Sequence, residues 1–200
     1  MNNDAKLKTK QDGVLIIVGT PIGNSMDLSA RGIEAFVKAD LVLSEDTRVT
    51  KKLSKIRNFK IKKLISFNDY NESKKLSSVI KNIKDGNNVV LSSDAGMPLI
   101  SDPGYKLVNE CIKNDIIVDV VPGPSSIITA IVTSGLTTNN FYFAGFPIKK
   151  KRARMDNLSR LAGIDTTIIW FESPKRILSF LNELVVVFGN RQAVVARELT

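Results

Sequence analysis

Short apolar, β-branched runs alternate with amphipathic segments along most of this chain, and that alternation prescribes βα units around a mainly parallel sheet. The runs place strands over residues 14–18, 41–43, 63–66, 89–92 and 116–121. Between them, apolar residues at helical spacing give helices over 28–38 behind an Asp27 cap, 73–85 ending before Gly86, 105–114 and 125–134. The polar stretch 136–140 reads as a linker. Beyond it come a strand over 141–144, a basic helix from Lys151, a strand over 167–171, a helix over 174–188 and a last strand over 193–197. The expected fold class is α/β: a mainly parallel five-stranded sheet domain over 14–136, then a second α/β domain over 137–200, with residues 1–13 as a disordered tail.

All seven prolines (Pro21, Pro98, Pro103, Pro122, Pro124, Pro147 and Pro174) follow an expected strand directly. In a parallel sheet such loops gather at the carboxyl edge, where open α/β sheets take their ligands. Proline fixes φ and glycine permits positive φ, so the loops 19–23, 94–98 and 122–125 are stiff and specifically shaped. Turn punctuation alone would scatter these residues over both edges.

Composition narrows the chemistry. The chain has no histidine, which removes histidine-based triads and imidazole metal sites, and acid-base work falls to carboxylates, lysine, tyrosine or water. Its single cysteine, Cys111, forms no internal disulfide and suits a reducing cytoplasm. The first residues lack a signal-peptide apolar core, and no apolar run approaches the ~18 residues that span a bilayer, so no membrane role is expected. A formal charge of +9 favours an anionic partner. Basic residues concentrate over 51–63, where a solvated face is the alternative to a binding one, and more tightly at Lys149, Lys150, Lys151, Arg152 and Arg154.

Neither a dinucleotide-binding glycine fingerprint nor a P-loop is present. The blocks that do occur, in order, are Gly19-Thr20-Pro21-Ile22-Gly23-Asn24, Ser44-Glu45-Asp46-Thr47-Arg48, the run from Ser93 to Gly104, Val121-Pro122-Gly123-Pro124-Ser125, Glu172-Ser173-Pro174-Lys175-Arg176 and Ala196-Arg197-Glu198-Leu199-Thr200. With these six blocks the chain resembles the tetrapyrrole methylase family and, within it, the ribosomal RNA small-subunit methyltransferase I group. It departs from the group's usual pattern at Met97, at Lys175 and over 67–72, where the group carries threonine or histidines. Family chains continue past the last block, so the second domain is expected to be incomplete.

The resemblance implies S-adenosyl-L-methionine as methyl donor and a cytidine ribose 2'-hydroxyl of 16S rRNA in the small ribosomal subunit as acceptor. It also implies a cytoplasmic homodimer. Candidate cofactor residues are Pro21, Asp94, Ala95, Gly96, Leu99, Ile100, Ser101, Ser125 and Ser126, where helix-leading N–H groups suit a carboxylate. Ser125 is equally readable as an ordinary helix cap. Glu45, Asp46 and Arg48 are the catalytic candidates, as proton acceptors and a phosphate-positioning group, with Asp94 a further acceptor and a purely structural Asp46–Arg48 clamp the equal alternative. The basic cluster 149–154 is expected to meet RNA phosphate, and alternate aromatics among Phe141, Tyr142, Phe143 and Phe146 to enter the core, a base-stacking surface being the other reading. A tetrapyrrole C-methylase and a non-catalytic RNA-binding module are the competing functions.

Overall fold

The computed structural model describes residues 13–200. Of the tail expected over 1–13, only Gly13 lies among them, and its N–H donates to the Ile83 carbonyl. The described residues divide into two compact units, 13–125 together with Thr200, and 126–199.

In the first unit, β1 (Leu15–Val18), β2 (Leu41–Ser44), β3 (Leu64–Ser66), β4 (Val89–Ser92) and β5 (Val118–Val121) form one sheet in the order β3-β2-β4-β1-β5. Every pairing is parallel, with Leu15 level with both Val89 and Val118 and Leu41 level with Val89. Successive strand residues point to opposite faces. Leu15, Ile17, Leu41, Leu43, Val89 and Leu91 therefore build one core, while Val18, Val42 and Val90 build the other. Both cores need a helical cover, which is the usual condition of a parallel sheet.

The first core is covered by α3 (Glu72–Lys84) and α4 (Tyr105–Lys113), through Val79, Ile80, Ile83, Leu107 and Cys111. Cys111 is fully buried, and burial together with the nearby Glu110 charge pushes its thiol up to about 11. The second core is covered by α1 (Ala30–Lys38) and by α2 (Thr47–Ile56) with its trailing loop, through Phe36, Leu53 and Phe59; the Phe36 and Phe59 rings stack at 5.2 Å. Neighbouring strands β1 and β4 are thus followed by helices on opposite faces. Their carboxyl ends form the point where an open α/β sheet leaves a crevice.

Two local readings change. Ser29 rather than Asp27 caps α1, its hydroxyl accepting from Gly32 N–H at 3.0 Å, because Ser25–Asp27 form a short 3-10 turn of their own capped by Asn24. Helix α2 is absent from the apolar pattern because its buried position is Thr50, whose hydroxyl meets that of Ser44 at 2.5 Å.

In the second unit α5 (Ser126–Thr133) leads to β6 (Phe141–Phe143), α6 (Lys151–Ala162), β7 (Thr167–Ile169) and α7 (Ile177–Phe188). The expected boundary at 136/137 and the division before Ser126 differ by the assignment of α5. Strands β6 and β7 pair in parallel, and the helices bury Leu158, Leu161 and Phe180. Trp170 packs edge-on against Phe180 and Phe188. The strand expected over 193–197 does not form: Val194 and Val195 are exposed, and no ladder partner reaches that segment among the described residues. A β-branched run becomes a strand only when a neighbouring backbone accepts its hydrogen bonds.

Candidate functional site

Every proline lies after a strand in the structure, five at the carboxyl edge of the larger sheet and two, Pro147 and Pro174, at that of the smaller. The loops at the larger edge are knitted by backbone. Thr20 and Gly96 exchange hydrogen bonds at 2.9 and 3.1 Å, and the buried Thr20 hydroxyl donates to the Ser93 carbonyl at 3.2 Å. Gly19 and Gly123 approach so closely that a Cβ on Gly19 would stand 2.7 Å from the Gly123 Cα. Asp94 Oδ1 accepts from the Asp46 N–H at 3.0 Å, which ties the β4 loop to the β2 loop.

The β4 loop departs most from regular backbone. Gly96 and Gly104 have positive φ, as do Leu99 at 71° and Ser101 at 65°. For leucine this left-handed conformation is uncommon and carries strain, a frequent mark of a ligand-shaped loop. A Cβ on Gly96 would meet its nearest neighbours at 3.5 and 3.7 Å, so the need for glycine there is set by its φ of 85° and not by crowding. Pro21 is buried beneath this loop system, Leu99 is half-buried, and Ala95, Ile100 and Ser101 are exposed. Ser125 ends the first unit and Ser126 starts α5, both half-buried.

The carboxylates sort by environment. Asp46 caps α2 by accepting from Arg48 N–H at 2.8 Å, and both of its oxygens hold the Arg48 guanidinium at 2.5 to 3.0 Å. Those bonds bring its carboxyl down to about 2. Asp46 and Arg48 are therefore paired, an arrangement that the structural clamp and the phosphate-positioning reading share. Burial raises Glu45, with further upward pressure from the Asp102 and Asp94 charges. Burial likewise raises Asp94, and it raises Asp102 against a hydrogen bond from Ser93. Asp102 belongs to this group of charges, yet sequence reasoning offered it no role. Its signal was its place inside the Ser93–Gly104 block, on the same edge as Asp94.

In the second unit Lys149, Lys150, Lys151 and Arg152 are exposed at the start of α6. Arg154 is not available with them. Its Nε and Nη2 donate to Glu183 at 2.6 and 2.7 Å, and its Nη1 donates to the carbonyls of Ile148 and Lys149. Glu172, under pressure from burial, is held below its ordinary value by Arg176 and by the Ser173 N–H. Between these pairs lies a crevice of about 300 Å³ lined by Pro147, Lys149, Arg154, Glu172, Arg176 and Phe180. Phe143 and Phe146 pack on Phe171, while Tyr142 stays half exposed. A separate hollow of about 310 Å³ between α3 and α4 is lined by helix side chains, with no residue of the edge loops.

Residues 14–200 match the family described as Tetrapyrrole (Corrin/Porphyrin) Methylases. The chain is 45% identical to the ribosomal RNA small subunit methyltransferase I of Thermotoga maritima over 94% of its own length and 84% of that protein's. The chain belongs to this family. Proteins of the same name from Haemophilus influenzae and Halalkalibacterium halodurans are 42% and 41% identical, over 96% and 94% of this chain. The chain spans 68% and 65% of their lengths. Among solved family folds, the uroporphyrin III C-methyl transferase of Thermus thermophilus superposes with a TM-score of 0.61 at 18% identity, covering 90% of this chain and 78% of that one. A cobalt precorrin-4 methyltransferase does so with a TM-score of 0.61 at 17% identity, covering 88% and 74%. The α/β reading and the five-stranded parallel sheet agree with both.

Proposed function

We propose that this chain methylates the 2'-hydroxyl of a cytidine ribose in small-subunit (16S) ribosomal RNA, using S-adenosyl-L-methionine. The observation that carries the reading is the 45% identity to a ribosomal RNA small subunit methyltransferase I, over 94% of the chain and 84% of that protein. When bound, the cofactor supplies an activated methyl group on a cationic sulfur. The edge suits such a molecule: carboxylates Glu45, Asp94 and Asp102 influence one another there, and the loop that carries Asp94 and Asp102 also carries half-buried Leu99 and exposed Ala95, Ile100 and Ser101. Pro21 and Gly96 would keep that loop in shape, and Ser125 and Ser126 are the residues that would hold the carboxylate of the methionine moiety.

Most of the acceleration in such a transfer comes from holding donor and acceptor in line at near-attack distance, which stiff loops favour. Glu45 is the residue assigned to take the 2'-hydroxyl proton, since Asp46 is engaged by Arg48. Lys149, Lys150, Lys151 and Arg152 bind RNA phosphate. The same reading has the protein act in the cytoplasm as a homodimer; exposed Leu178, Val185 and Val186 on α7 support self-association, which light scattering measures. No helix among the described residues is long and apolar enough to cross a membrane.

Labelled S-adenosylmethionine, small ribosomal subunits and the protein together should yield label in 2'-O-methylcytidine after nuclease digestion. Label appearing in a tetrapyrrole and not in RNA would overturn the proposal.

A further inference from the structure

Helix α2 turns a diffuse basic stretch into an ordered one. At 3.6 residues per turn, Arg48, Lys51, Lys52 and Lys55 fall within an arc of about 100°. All four are exposed, whereas Thr50 and Leu53 lie on the other side, against the second core. No acid occurs from Thr47 to Lys63. The pairs 48/51, 48/52, 51/55 and 52/55 are like charges at helical contact spacing, an arrangement that works against the helix unless a counter-charge lies over it.

Three other cations of this stretch have internal partners, while Lys60 and Lys63 lie beyond the end of α2. Arg48 is held by Asp46, and Lys62 pairs with Asp40 at 2.9 Å. Arg57 donates to the carbonyls of Ser25 and Leu28, which anchors the far end of α2. The ammonium groups of Lys51, Lys52 and Lys55 make no hydrogen bond or ion pair among the described residues. Their stripe starts little more than one turn beyond Asp46, whose N–H is tied to Asp94 at the carboxyl edge, and runs away from that edge for roughly 6 Å at 1.5 Å per residue.

We infer that this face of α2, through Lys51, Lys52 and Lys55, tracks the phosphates of single-stranded RNA flanking the nucleotide presented at the carboxyl edge. The inference rests on the function proposed above, and it adds a second RNA-contacting surface on a different unit from the 149–152 cluster. Lysine is suited to the task as a mobile point charge that contacts phosphate without reading sequence.

The test is the salt dependence of binding to a short, fluorescently labelled, cytidine-rich single-stranded RNA. Lys51→Gln, Lys52→Gln and Lys55→Gln together should flatten the logarithmic slope by about 2, from roughly 0.7 per lost contact. The control is Lys74→Gln, Lys81→Gln and Lys84→Gln, an equal loss of charge on α3, which should leave the slope near that of the unaltered protein. Glutamine is about as good a helix former as lysine, so the stripe variant should melt no earlier than the unaltered protein. A stripe variant with an unaltered slope, or one changed no more than the control, overturns the inference while leaving the proposed function standing. Salt-independent or absent binding by the unaltered protein overturns the inference, and the methyl-transfer assay on small ribosomal subunits tests the function separately.

Discussion

Replacing Glu183 by glutamine isolates the device that holds the basic segment in place. The Arg154 and Glu183 side chains are 18% and 12% exposed and joined by two parallel hydrogen bonds of 2.6 and 2.7 Å. Exposed ion pairs contribute about 0–1 kcal/mol, and breaking a fully buried one costs about 3–5 kcal/mol. This pair lies between, so the loss of one partner should cost about 2 kcal/mol. Glutamine keeps the shape but turns an N–H group toward one guanidinium N–H, so at most one of the two bonds survives. A cost of 2 kcal/mol is roughly a 30-fold change in a local opening equilibrium, at 1.36 kcal/mol per tenfold. Hydrogen exchange resolved by segment should show amides of α6 and α7 losing about that much protection, with those of β1, β2 and β4 unchanged. Arg154 holds Glu183 below its ordinary value, so the pair's contribution is complete above the usual carboxylate range and lost as pH falls through the lowered value. A change of less than about threefold in α6 and α7 would refute the reasoning.

Three further outcomes follow from the edge loops. Gly19→Ala places a Cβ 2.7 Å from Gly123 Cα and should cost about 1–3 kcal/mol in chemical unfolding while weakening S-adenosylmethionine binding by calorimetry. The Asp46 carboxyl should titrate near 2 by NMR and return toward the ordinary aspartate range in Arg48→Ala, because that guanidinium is the main cause of its lowering. Glu45 is raised by burial, so methyl transfer should fall on the acid side as Glu45 takes a proton, and Glu45→Gln should be slow with that acidic limb gone.

The central strands β2 and β4 could be read from sequence because each is a fully buried apolar run with both faces covered, and the loops because proline and glycine mark them one-sidedly. Helix α2 could not, since its inward position is a hydroxyl pair, Thr50 with Ser44, and not an apolar side chain. The segment 193–197 has the composition of a strand, but composition does not supply a partner. Arg154 looks like one more cation of its cluster until Glu183, 29 positions away in sequence, is seen to receive it. That Asp46 and Arg48 pair is set by the backbone at the start of α2, where Asp46 caps the helix and turns its carboxylate to the Arg48 guanidinium.

The Thr20–Gly96 bridge joins residues 76 positions apart, and it exists only where β1 and β4 lie side by side in the completed sheet. No local segment can preform it, and contacts of such long range are made late and together. Cofactor affinity in this unit should accordingly rise and fall with its global folding equilibrium, with no separate population of folded chains whose site is unmade. A titration of S-adenosylmethionine in graded urea would then count native molecules as faithfully as circular dichroism does, making the ligand a reporter of foldedness.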